Sequence, residues 1–110
     1  MIPVNIPIIT YKDAKEVFNT VKTGWVSSSG SKINKFENEL AKLTKRKFSC
    51  CVSSGTAALE IAIKGLGIGK GDEVIMPAFT IISNASAIVK NLAKPVLIDS
   101  DPITWNIDIN

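Results

Sequence analysis

Val52-Ser53-Ser54-Gly55-Thr56-Ala57-Ala58-Leu59 joins two runs of opposite character. On its amino side, Phe48 to Val52 is short, apolar and uncharged, which predicts a strand. On its carboxyl side, Ala57 to Leu66 is rich in good helix formers. The turn between them therefore opens a helix directly after a strand. A helix start carries backbone N–H groups without intrahelical partners and a partial positive charge. Gly55 has no Cβ, so an anion can come close to the backbone. Ser54 and Thr56 add hydroxyl donors. The stretch reads as a phosphate cradle at the carboxyl end of a parallel strand, where α/β folds bind ligands. It also reads as a plain helix cap, with Ser54 or Thr56 satisfying first-turn amides. A Walker A loop is excluded, because no Gly-Lys-Ser/Thr follows. Gly65, Gly67, Gly69 and Gly71 follow a helix rather than a strand, so they read as a helix end and loop rather than a dinucleotide fingerprint.

Further along, Glu73 to Met76 is a second apolar strand closed by Pro77. Residues 81–92 suit a helix, and Pro95 to Ile98 a third strand that runs into Asp99-Ser100-Asp101-Pro102. Residues 47–110 thus predict β-α-β-α-β, an α/β arrangement with a parallel sheet. Strands this uniformly apolar imply cover on both faces. Gly71-Asp72 predicts a surface turn, with Val74 and Ile75 buried after it. A three-stranded parallel sheet has two open edges, so further strands are expected and the domain reads as incomplete.

In the other direction, residues 1–46 form an arm and two helices. Pro3 and Pro7 keep residues 1–9 extended. Ala14, Val17, Phe18 and Val21 give one apolar stripe to a helix over 11–23, which Gly24 ends. Trp25-Val26-Ser27-Ser28-Ser29-Gly30 is a loop of mostly small residues. Ser31 caps a helix over 32–45, with Ile33, Phe36, Leu40 and Leu43 facing inward.

Composition narrows the function. The 110 residues carry a net charge of +3, too little to imply nucleic acid. Lys42, Lys45, Arg46 and Lys47 suit a solvated helix end. The chain has no histidine, which removes histidine acid–base chemistry and most catalytic zinc sites from this segment. Cys50 and Cys51 on a strand would point apart, as reduced, buried thiols of a cytoplasmic protein. Val74–Val89 is too short and too polar to span a membrane. The start lacks the basic segment of a signal peptide.

Four motifs occur in a fixed order: Trp25–Gly30, Ser53–Leu59, Gly71–Pro77 and Pro95–Asp99. Together they resemble the DegT/DnrJ/StrS-type aminotransferases, which use pyridoxal 5′-phosphate (PLP) and have the aspartate-aminotransferase fold. The opening Met-Ile-Pro-Val and the late Asp99–Trp105 segment are most similar to the GDP-perosamine synthase branch. The resemblance implies the N-terminal part of the large domain of a fold-type-I PLP enzyme. It puts Ser54, Gly55 and Thr56 on the cofactor phosphate. It puts Ile81 on the cofactor ring, at a position that is commonly aromatic; a core isoleucine is the alternative. It puts Trp25, Ser27 and Ser28 near the sugar nucleotide, although Trp25 also reads as a packing residue.

The implied reaction moves an amino group, usually from glutamate, to a keto-sugar nucleotide, with a GDP-linked sugar favoured, for cell-surface polysaccharide. A homodimer is implied as well. The lysine that holds the cofactor and the carboxylate on its ring nitrogen lie beyond residue 110 in this family, so the chain alone is expected to be inactive. Two other readings stay open. One is a PLP-dependent sugar dehydratase of the same family, with histidine in place of that lysine. The other is a non-enzymatic α/β module that binds phosphate at Ser54–Thr56 without preference for PLP.

Overall fold

The computed structural model describes residues 2, 3 and 5–109. In chain order they form α1 (Tyr11–Lys22), α2 (Ser31–Leu43), α3 (Gly55–Gly65), β1 (Glu73–Pro77), α4 (Ile82–Lys90) and β2 (Lys94–Ile98). The chain divides into two compact units, Met1–Cys51 and Val52–Asn110. Among the described residues, no helix is long and apolar enough to cross a membrane.

In the first unit, the described residues before Thr10 carry no helix or strand; Met1 and Val4 lie outside the description. Thr10 opens α1 with a reciprocal cap. Its hydroxyl accepts from Asp13 N at 3.3 Å, and its backbone N–H donates to Asp13 Oδ2 at 2.8 Å. The Thr10 hydroxyl and N–H hold the Asp13 carboxyl below its ordinary pKa. Thr23 ends the helix, and Gly24 follows at φ +76°, the left-handed position glycine favours.

Helix α2 begins one residue earlier than the sequence suggests. Gly30, not Ser31, is its N-cap, with an extended backbone (φ −74°, ψ 149°) and no side chain to give. The inward face is also rotated from the expected one. Ile33, Glu37, Leu40 and Ala41 are its less exposed positions, whereas Phe36 and Leu43 are exposed. The rotation follows from Glu37, whose carbonyl accepts from Ser49 Oγ at 2.7 Å and whose carboxylate accepts from Cys51 N at 2.7 Å.

Those two bonds also explain why Phe48 to Val52 is not a strand. A ladder needs the N–H and carbonyl groups of a neighbouring strand. Here the Cys51 amide goes to a helix side chain instead, and Phe48 is exposed. The predicted β-α-β-α-β becomes α-β-α-β with two strands. The thiols are free as expected, but Cys50 is exposed rather than buried. Partial burial, followed by the Glu37 charge, pushes the Cys51 thiol pKa up.

In the second unit, β1 and β2 pair in parallel from Glu73↔Lys94 to Pro77↔Ile98. Asp72 makes the expected turn. Its Oδ2 accepts from Gly69 N at 2.8 Å and its own N–H donates to Gly69 O at 3.0 Å. The core is Met76, Ile88 and Ala93, with Ile63, Ile68, Val74 and Ala85 packed around it. Alternate strand residues face opposite sides. Met76 therefore meets the side chains of α3 and α4, while Ile75, 65% exposed, faces away. The expected burial of Ile75 and the expected cover on both faces are thus corrected: the helices cover one face.

Candidate functional site

Helix α4 leaves the carboxyl end of β1 and returns to the start of β2. Helix α3 likewise ends just before β1 begins, so it also runs against the strands. Both helix N-termini therefore lie toward the carboxyl edge of the sheet, the edge where parallel sheets bind ligands. The first of these N-termini is the Ser54–Thr56 turn.

Ser54 is the N-cap of α3, with extended backbone (φ −161°, ψ 164°). Its Oγ accepts from Ala57 N at 3.1 Å and its carbonyl accepts from Ala58 N at 3.0 Å. The cap reading is therefore correct for Ser54, and it leaves the hydroxyl proton free to be donated. The N–H groups of Gly55 and Thr56 make no hydrogen bond among the described residues. A Cβ built on Gly55 would meet nothing within 4 Å, so the space in front of the turn is open. Two unspent amides, two hydroxyls and a helix start bordering open space fit a phosphate group.

Ile81 is the N-cap of α4, at φ −69° and ψ 139°, and is 68% exposed. It is not a core isoleucine in this unit. The loop that carries it is held from two sides. Asn84 Nδ2 donates to Thr80 Oγ1 at 2.7 Å, and Asn84 N donates to Ile81 O at 3.1 Å. On the other side the Phe79 ring lies 5.3 Å from the Trp105 ring, tilted by 53°.

In the first unit, Trp25 and Ser27 line a cavity of about 510 Å³ together with Asn19, Thr20, Thr23 and Lys32. That volume is in the range of small-molecule sites. Ser28 is not among the lining residues. The Lys32 ammonium pairs with Glu16, whose carboxyl is held below its ordinary pKa by that hydrogen bond. The polar wall from α1 escaped the sequence reading. Asn19, Thr20 and Thr23 fall on one side of α1 at i, i+1 and i+4, a spacing visible in the sequence once the cavity is known.

The fold and the turn define an α/β unit in which a helix with unpaired first amides starts at the carboxyl edge of a parallel sheet. Residues 7–110 match the DegT/DnrJ/EryC1/StrS aminotransferase family, and the chain belongs to it. It is 40% identical to GDP-perosamine synthase of Escherichia coli O157:H7 over 109 residues, which are 99% of this chain and 30% of that protein. The fold is similar to that of Spr1654 of Streptococcus pneumoniae in its PLP form. The TM-score is 0.85 at 37% identity, over 97% of this chain and 27% of that one. It is also similar to the Escherichia coli GDP-4-keto-6-deoxy-D-mannose-3-dehydratase with bound hydrated PLP. That TM-score is 0.86 at 25% identity, over 97% of this chain and 29% of the other. The chain thus spans under a third of the length of these relatives.

Proposed function

We propose that this chain supplies the cofactor-phosphate end and part of the sugar-nucleotide site of a PLP-dependent enzyme. The reaction is transfer of an amino group from glutamate to a GDP-linked keto sugar, in a cytoplasmic homodimer. The observation that carries this reading is the pair of unspent amides at Gly55 and Thr56, in front of open space, in a chain of this family. In this role the Gly55 and Thr56 N–H groups and the Ser54 and Thr56 hydroxyls would donate to the phosphate dianion. Ile81, exposed at the start of α4, would cover the ring and keep water off it. Ring stacking worth about 0.5–1.5 kcal/mol in aromatic pairs is absent from such a contact. Trp25, Ser27 and Ser28 stand by the sugar nucleotide, with the cavity in front of Trp25 and Ser27 as its entrance. When bound, PLP supplies the electron sink and stores the amino group between donor and acceptor.

A chimera tests this role. Residues 1–110 replace the matching segment of the Escherichia coli GDP-perosamine synthase, and the protein is given PLP, glutamate and a GDP-4-keto-6-deoxy sugar. The expected result is an amino sugar detected by mass spectrometry, lost on Gly55→Asp. A folded chimera that makes no amino sugar would refute the proposal. The likeness to the dehydratase favours one second reading, loss of a sugar hydroxyl on the same scaffold. The residue at the cofactor-holding position separates the two: lysine for amino transfer, histidine for dehydration.

A further inference from the structure

Trp105 sits at φ +60°, in the left-handed region that a bulky side chain rarely enters. Among the described residues, the other two non-glycine residues at positive φ, Lys45 and Leu92, follow helix ends, where such a conformation is common. Trp105 follows no helix. It is held by a turn built around Asp101. The Asp101 carboxylate oxygen Oδ1 accepts from Ile103 N at 3.0 Å, Thr104 N at 2.6 Å and Thr104 Oγ1 at 2.8 Å. Trp105 N donates to Asp101 O at 2.9 Å, and Asp101 N donates to Asn106 O at 2.9 Å. An antiparallel bridge between Ser100 and Ile107 closes the base of the turn. The Thr104 and Ile103 amides and the Thr104 hydroxyl hold the Asp101 carboxyl below its ordinary pKa, so it remains a charged acceptor.

This scaffold ends on one contact. The Trp105 ring meets Phe79, one residue before the Thr80-Ile81 turn. The segment after β1 and the segment after β2 leave the same edge of the sheet, and Ala78 N donates to Ile98 O at 2.8 Å at its rim. Backbone strain kept by a dense set of hydrogen bonds points to a role for the strained residue beyond packing. We propose that Trp105 is a positioning residue: the Asp101 turn locks its ring against Phe79, and so sets the Phe79–Ile81 loop as a fixed wall for a planar ligand ring. The identity of that ring rests on the cofactor reading above. The positioning itself rests on this unit alone.

The test uses the chain labelled with ¹⁵N. Backbone order parameters are measured for the wild type, Asp101→Ala, Trp105→Ala and Trp105→Phe. Rigid amides give about 0.85 and flexible ones fall below about 0.6. The expected result is a drop at Phe79, Thr80 and Ile81 in the two alanine variants, no change at Met76 and Ile88, and recovery in Trp105→Phe. Unchanged values at Phe79–Ile81 would overturn the proposal. So would an equal loss at Met76 and Ile88, which marks ordinary structural support. A second arm titrates 4-deoxypyridoxine 5′-phosphate, which lacks the aldehyde, against inorganic phosphate. The alanine variants should lose roughly tenfold in affinity for the ring compound and stay within about twofold for phosphate. A wild type that binds both equally would overturn the cofactor reading and the ring contact given to this loop, while the order parameters still decide the positioning.

Discussion

The two units contain similar numbers of helices and differ in what those helices cover. In Val52–Asn110, α3 and α4 lie on one face of a parallel pair, and Ala87 and Ile88 of α4 are buried. In Met1–Cys51, α1 has no buried residue and α2 has one, Ala41. Val17, Phe18 and Val21 of α1 form the apolar stripe the sequence indicates, yet all three are more than half exposed. An amphipathic period tells where a helix puts its apolar side. It does not tell what covers that side. A sheet with a crossover helix carries its own cover, and a pair of helices with a short loop does not.

Core truncation separates the units most. Ile88 is 3% exposed, so Ile88→Ala should lower unfolding free energy by about 2–5 kcal/mol. Phe18→Ala, at a ring 65% exposed, should stay near about 0.5 kcal/mol. Urea denaturation followed by circular dichroism reads both. If the two variants lose equal stability, the apolar face of α1 is covered in solution and the contrast fails.

Capping should bring the units together. Each begins a helix with a hydroxyl, Thr10 in one and Ser54 in the other. Ser54→Ala and Thr10→Ala should each cost about 1 kcal/mol. A much smaller loss at Ser54 would mean that its hydroxyl is not held by the Ala57 amide.

The smallest effect is a pH dependence. The Asp101 carboxyl is held below the ordinary 3.8 by hydrogen bonds that exist only in the fold. A group lowered in the folded state binds its proton more readily when unfolded. Its contribution is therefore full above about pH 4 and is lost as pH falls through the lowered value. Thermal scans from pH 5 downward should show a shallower loss in Asp101→Asn than in the wild type. Matching slopes would mean that the Asp101 carboxylate does not stabilise the fold.

The sequence made the second unit legible because its signals are local. Asp72, Gly71, Pro77 and the alanine-rich start of α3 mark turn, strand end and helix, and each stands where expected. The misses share a cause. Phe48–Val52 has strand composition, but strand formation depends on a partner, and the Glu37 carboxylate takes the Cys51 amide instead. Ile75 looks like a core residue, but a pleated strand covered on one side must expose alternate positions. The turn at Ser54–Thr56 was readable from residue types alone. The Phe79–Trp105 contact was not, because it joins positions 26 residues apart through a left-handed backbone that no sequence pattern announces.

The role proposed for the start of α3 is to receive the cofactor phosphate. Gly55 puts it to the test directly, because the space in front of it is open and an added Cβ would enter that space without touching the protein. Amide shifts of the ¹⁵N-labelled chain are followed during titration with PLP, in the wild type and in Gly55→Ala. The expected result is shifts centred on Gly55, Thr56 and Ala57, and at least a tenfold weaker response in Gly55→Ala with its melting temperature preserved. Shifts centred elsewhere, or an equal response in the two proteins, would contradict it.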